Sequence, residues 1–240
     1  MTLFISSCQA PNSKTLVIGH RGARGHVAEN TLASISKAIE LGVDGVEIDV
    51  FRCATGELVV FHDKTLDVIT NGTGYIEQMP LDSIKQFLVL GKEPIPTLNE
   101  VMDLIDGTIQ LNIELKGTQT GVITSELIEH YFETSNWEAK NIFISSFDWD
   151  ELDQFYKVNQ KVAIAVLTED DPIDAIPVAK RLAAFAINPD FKSLTEANVE
   201  KIHKAGFNVY PWTVNELEDI ERMIAIGFDA LITDFPERIR

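Results

Sequence analysis

The sequence predicts an α/β protein, a (β/α)8 TIM barrel with a small insertion after an early strand. Short apolar, β-branched runs bounded by turn signals recur along the chain, as buried parallel strands do. Amphipathic stretches separate most of them, which implies helical crossovers and a parallel sheet. About eight such units fit within the 240 residues, and eight units in this length favour a closed barrel over an open sheet.

The strands are expected at residues 15–20, 45–51, 58–62, 109–116, 141–146, 162–167, 185–188, 207–213 and 230–233. Helices are expected at 31–41, 97–105, 122–132, 150–156, 173–182, 195–205 and 215–226. In the first helix Leu32, Ile35, Ala38 and Ile39 form one apolar stripe. Asn30 is the expected N-cap there. Thr195 with Asn198, and Asn215 with Glu218, read as further N-caps, the second close to a capping box. Gly206 and Gly227 fall just past helix ends. Residues 63–96 break the pattern with Asn71-Gly72-Thr73-Gly74, Pro80, Gly91 and two further prolines. This stretch reads as the insertion, lying over the barrel mouth. The expected organisation is an N-terminal extension, 1–14, then one catalytic domain, 15–240.

Hydrophobic residues make up 45% and charged residues 24%, an ordinary globular composition. No run of 18 apolar residues occurs, so no membrane-spanning helix is expected. The net charge of −17 argues against nucleic-acid binding, which needs a cationic face. An anionic substrate would need local cations or a metal to offset this field. Two cysteines, Cys8 and Cys53, make no disulfide framework. The start, Met1 to Ala10, holds Ile5-Ser6-Ser7-Cys8, which loosely resembles a lipoprotein cleavage box but lacks a basic segment and a long apolar run before it. A cytoplasmic protein is expected from the sequence as written. The alternative is a periplasmic or lipid-anchored one, anchored at Cys8 after a missing upstream segment.

Polar residues collect at the expected C-terminal strand ends, where barrel active sites lie. Side chains two apart in a strand share a face. Glu47 and Asp49 therefore point one way, and Val46, Ile48 and Val50 the other. Likewise Asn112, Glu114 and Lys116 share the inner face, with Leu111, Ile113 and Leu115 outside. One Glu114–Lys116 pair would be an ordinary ion pair. Three inward carboxylates are too costly to bury unpaired. One divalent cation, Mg2+ or Ca2+, relieves that cost through oxygen ligands from Glu47, Asp49 and Glu114. His20 and His62 end two expected strands at the same rim and read as an acid/base pair; with the carboxylates they could also form a dinuclear transition-metal site. Arg21 and Lys116 supply cations suited to phosphate. Together these groups describe phosphodiester hydrolysis. Glu29 either flanks the helix cap or reaches into the site. Phe147 and Trp212 are either rim packing or a substrate wall. His26, His130 and His203 lack such company and read as structural or surface residues. Asn71-Gly72-Thr73-Gly74 is a turn and not a dinucleotide fingerprint.

Gly19-His20-Arg21-Gly22, Glu29-Asn30-Thr31, Glu47-Ile48-Asp49, Phe61-His62-Asp63 and Ile113-Glu114-Leu115-Lys116 resemble, in order and spacing, the glycerophosphodiester phosphodiesterases of bacterial type. Later echoes are Ser146-Phe147, Trp212-Thr213-Val214-Asn215 and Ile232-Thr233-Asp234-Phe235-Pro236. The resemblance spans residue 16 to the end. It implies a (β/α)8 barrel with an insertion after the second histidine. It implies hydrolysis of a small-molecule glycerophosphodiester to sn-glycerol 3-phosphate and an alcohol such as choline or ethanolamine. It assigns His20 and His62 to acid/base catalysis and Glu47, Asp49 and Glu114 to one Mg2+ or Ca2+ ion. Arg21 and Lys116 would contact phosphate, with Glu29 at a polar position beside them. The chain departs from the family pattern at Ala28, where proline is usual, at Arg24, where small residues are common, and at Val68, where an arginine often stands. A cyclic-phosphate-forming lyase and a silent glycerophosphodiester-binding protein are the alternatives. Head-group preference and oligomeric state are not legible.

Overall fold

The computed structural model describes residues 15–239. The expected extension 1–14, with Cys8, lies outside the described residues. The parallel strands are β1 (Leu16–Gly19), β2 (Gly45–Arg52), β6 (Gln110–Leu115), β7 (Ile142–Ser146), β8 (Ala163–Thr168), β9 (Ala186–Pro189), β10 (Asn208–Val209) and β11 (Ala230–Thr233). They lie in the order β10-β9-β8-β7-β6-β2-β1-β11. The two ends meet through backbone hydrogen bonds from Asp229 to Val209, Ile232 to Pro211 and Val214 to Ile232, each 3.0 Å. The fold is thus the (β/α)8 barrel that the alternating pattern predicts. The crossover helices are α1 (Leu32–Glu40), α3 (Leu98–Ile105), α4 (Thr120–Thr134), α5 (Trp149–Val158), α6 (Ile176–Arg181), α7 (Glu196–Lys204) and α8 (Leu217–Ile226).

The two-residue period sorts the side chains. Val46, Ile48 and Val50 of β2 and Leu111, Ile113 and Leu115 of β6 are buried against the helix layer with Ile35, Leu98 and Ile128. Burying each such side chain contributes about 1.5–3 kcal/mol. Inside the barrel, Ile18, Phe143, Tyr210 and Ile232 form a separate apolar cluster. There Phe143 stands edge-on to Phe185 at 5.2 Å and to Tyr210 at 6.0 Å. Above that fill, the inward faces at the upper ends of β2 and β6 are left to polar groups.

The expected strand at 58–62 differs in two respects. Its extended part, β3 (Leu58–Val60), is shorter and runs antiparallel to β2. Only five residues separate β2 from β3, and a parallel pairing needs a crossover of about a dozen. His62 therefore reaches the site from a loop after a hairpin, outside the barrel wall. Residues 63–96 carry short helical turns, the helix α2 (Leu81–Ile84) and a hairpin of β4 (Leu88–Val89) with β5 (Glu93–Pro94). Leu66, Ile76, Ile84 and Val89 pack there with Phe51 and Phe61 in a second apolar cluster. Glu77 accepts hydrogen bonds from the backbone and hydroxyl of Thr118, tying this segment to the loop after β6.

Two expected caps are corrected. Thr31, not Asn30, caps α1, accepting from the Ser34 N–H at 3.1 Å. Asn30 adopts a left-handed φ of 56° and turns its amide inward. Asn215 does not cap α8; Glu216 occupies that position. Asn215 instead accepts from the Asp234 N–H and donates to the Asp234 carboxylate, because the loop after β11 supplies better partners. The Thr195–Asn198 capping box on α7 is present.

Candidate active site

A cavity of about 460 Å3 opens at the C-terminal ends of the barrel strands. Of the residues singled out in the sequence, His20, Arg21, Glu47, His62, Glu114, Lys116, Phe147 and Trp212 line it. Glu47 and Asp49 come from β2, and Glu114 from β6, where Asp49 pairs in register with Glu114. This register, with the period of two, brings one oxygen of each of the three carboxylates within 4.8 Å of the others. All three residues are buried, Asp49 to 1% exposure.

Their oxygens are unequally served. One Glu47 oxygen accepts the Arg21 backbone N–H at 2.9 Å, and the other has no hydrogen-bond partner. One Asp49 oxygen accepts the Asn30 amide at 2.8 Å and lies 3.3 Å from Arg21 Nε, while its Oδ1 has no hydrogen bond. Lys116 Nζ lies 3.1 Å from Glu114 and 3.8 Å from Asp49 Oδ1. Burial, with the charges of Asp49 and Glu114 beside it, pushes the Glu47 carboxyl well above its usual range. Burial and Asp49 likewise push Glu114 up to about 7, despite Lys116. Burial pushes Asp49 the same way, but Arg21 and Lys116 outweigh it and hold this carboxyl low. Hard oxygen donors converging with orphaned, buried lone pairs fit a divalent cation such as Mg2+ or Ca2+.

The histidines are each oriented from behind. His20 Nδ1 lies 2.7 Å from Asp234 Oδ1, which leaves Nε2 facing Glu47 at 4.0 Å. Burial lowers the His20 pKa more than Asp234 raises it, so the neutral ring is favoured. His62 Nδ1 lies 2.8 Å from Asp63. Asp234 and Asp63 entered the sequence argument only as parts of motifs, and Asn30 as the expected cap of α1, not as a partner of Asp49. Spacing signals none of these contacts: Asp234 lies far along the chain from His20, adjacency alone does not show that Asp63 turns to His62, and the Asn30 amide is aimed by its positive φ.

Glu29 is not among the cavity-lining residues. It joins Arg21 Nη1 and Arg24 Nε, each at 2.6 Å, and so fixes both guanidiniums at the rim. Phe147 and Trp212 stand edge to face with centroids 5.3 Å apart, and both line the cavity. Trp212 is anchored by its indole N–H on the Asn188 carbonyl at 2.8 Å. Arg24, Asn112, Glu169 and Thr213 also line the cavity; the sequence placed Arg24 near the mouth and Asn112 on the inner face without giving either a role, and it did not point to Glu169 or Thr213. His26 pairs with Glu237 and His203 with Asp229, while His130 stands edge-on to Tyr131. None of these three lines this cavity.

The chain is 38% identical over 238 residues to a glycerophosphodiester phosphodiesterase of Caldanaerobacter subterraneus, covering 94% of this chain and 96% of that protein. It is 31% identical to a glycerophosphodiester phosphodiesterase of Bacillus altitudinis, covering 93% of this chain and 96% of that protein. A solved phosphodiesterase structure from Oleispira antarctica, in complex with the product sn-glycerol 3-phosphate, superposes with a TM-score of 0.84 at 30% identity. That match covers 93% of this chain and 94% of the other. The family model described as the glycerophosphoryl diester phosphodiesterase family matches residues 20–238, and with these relatives it shows that the chain belongs to that family.

Proposed function

We propose that this chain hydrolyses glycerophosphodiesters to sn-glycerol 3-phosphate and an alcohol, with His20 and His62 as its proton-transfer pair and one divalent cation as cofactor. The observation that carries this reading is the pair of histidines, each backed by a carboxylate, lining one cavity with the three-carboxylate cluster.

Glu47, Asp49 and Glu114 would hold the cation. When bound, it offsets the negative charge that develops on the phosphoryl oxygens. With its Nδ1–H on Asp234, neutral His20 presents Nε2 as a base that takes a proton from water. The new bond joins the water oxygen to phosphorus, and the bond to the departing alcohol breaks. His62, oriented by Asp63, would serve as the acid that gives a proton to that alkoxide. Arg21 and Lys116 are placed to neutralise phosphate charge, the first through its planar fork and the second as a point charge. Glu29 positions Arg21. Phe147 and Trp212 give the cavity an apolar wall against which the uncharged part of the diester packs.

The test is release of sn-glycerol 3-phosphate from glycerophosphoethanolamine and glycerophosphocholine by chelator-stripped protein given Mg2+ or Ca2+. Release restored by an ion and absent in His20→Ala supports the reading. A stable cyclic phosphate would replace hydrolysis with attack by a substrate hydroxyl. No product from folded protein with either ion would refute it.

A further inference from the structure

Asn112 lies on β6 two residues before Glu114 and in register with Glu47. It is 1% exposed and lines the cavity. Its Oδ1 accepts the Ser145 hydroxyl at 2.8 Å. Its Nδ2 is buried and has no hydrogen-bond partner. A buried amide N–H without a partner is costly, and folded proteins retain few of them. Ser145 holds the Oδ1 end of the amide, which leaves the Nδ2 end without a partner in a residue that lines the cavity. The surroundings fix the polarity as well: with Glu47 in register beside it, an amide oxygen turned inward would face carboxylate oxygens and be repelled, whereas the N–H, which bonds to none of them, is not.

We infer that Asn112 is a substrate-binding residue whose Nδ2 donates a hydrogen bond to a phosphoryl oxygen of the bound diester, and that Ser145 is the positioning residue that holds it in that orientation. The inference rests on the phosphodiesterase reading of the cavity. The ligand chemistry is that of a tetrahedral phosphate oxygen. Arg21 and Lys116 bring charge to it from the rim, whereas Asn112 brings a neutral donor from the floor. A neutral donor adds no charge to neighbouring carboxylates, so it does not compete with a cation for them. Such a donor, fixed before the substrate arrives, strengthens as charge develops on phosphoryl oxygen.

The experiment compares the metal-loaded wild type with the double variant Asn112→Leu/Ser145→Ala. Replacing both partners of a buried pair by apolar groups of similar shape is close to neutral for stability. Three quantities are measured: kcat/KM for glycerophosphoethanolamine, inhibition or binding by inorganic phosphate, and the Kd of the metal alone by calorimetry. The expected result is a fall of about 10²-fold in kcat/KM, weaker phosphate binding, and an unchanged metal Kd. Phosphate binding and kcat/KM both within threefold of wild type would overturn the inference and leave the pair a core hydrogen bond. A metal Kd that weakens in step with activity would also overturn it, placing the amide on the cation. If the double variant does not fold, 15N-asparagine-labelled wild type decides, with Ser145→Ala used to assign the Asn112 side-chain signal. That signal must shift on phosphate addition, and a signal that stays in place refutes the contact. Wild type without turnover would count against the proposed activity, while its phosphate titration still reads the Asn112 contact separately.

Discussion

Glu114 is held between two opposing demands. Burial and the Asp49 charge push its pKa to about 7 from an ordinary 4.5. The unfolded chain releases this proton near the lower value and the folded, metal-free chain near the upper one. Between them the folded state binds more protons, so this group's contribution to stability falls as pH rises through the window. Glu114→Gln removes the titration while keeping the shape. In chelator, the variant should be more stable than wild type at pH 8, by about 3 kcal/mol for a shift of this size, and gain little at pH 5. Urea midpoints at the two pH values check this, and an advantage independent of pH would contradict it. If Glu114 holds the cation as proposed, the same variant should bind Mg2+ or Ca2+ far more weakly, since one charged oxygen donor is lost. Asp234→Asn tests the opposite side of the site. An asparagine amide can donate to His20 Nδ1, which shifts the proton to Nε2 and would block the proposed use of that nitrogen as a base. We expect kcat to fall by about 10²-fold or more, with metal affinity kept. A fall below threefold would remove Asp234 from orienting His20.

The loop from β1 to α1 sets the positions of Arg21 and Asn30 together. Arg21 has a left-handed φ of 51°, and its carbonyl accepts from the Asn30 N–H at 3.0 Å and the Ser34 hydroxyl at 2.9 Å. Gly22 follows with φ of 85°, and a Cβ there would lie 2.6 Å from the Ser34 carbonyl carbon and 2.8 Å from the Ile35 nitrogen. Gly22→Ala must therefore move α1 away from β1. We expect a loss of about 1–3 kcal/mol from backbone strain, with added cost from the clash, and an equally large effect on activity because Arg21 moves with the loop. A variant with unchanged urea midpoint and turnover would show that the loop yields freely. This element also shows why sequence reading succeeded in one place and failed in another. The inward faces of β2 and β6 follow from a fixed period of two, so the convergence of Glu47, Asp49 and Glu114 is legible in the sequence. The Asn30 amide was not, because its side chain is aimed by a positive φ that no periodicity encodes. His62 was legible as a rim residue but not as a loop residue, since hairpin and crossover differ only in connection length. Asp234 and Asp63 act through partners distant in sequence or one residue away, and spacing alone carries no sign of either bond.

At the scale of the molecule, the charge is −17, while Arg21, Arg24 and Lys116 line the cavity. A substrate with net negative charge therefore meets repulsion at long range and attraction at short range. Salt separates the two ranges. The screening length is about 30 Å at 0.01 M ionic strength and about 8 Å at 0.15 M. Raising salt between these values removes the field of the whole surface before it weakens contacts inside a half-enclosed site. For a net-anionic diester such as glycerophosphoglycerol, kcat/KM at saturating metal should rise over this range. For zwitterionic glycerophosphocholine, whose net charge is zero, it should stay nearly flat. A rate for the anionic diester that falls with salt would mean that the cationic rim dominates even at a distance. The acidic surface would then be electrostatically uncoupled from substrate capture.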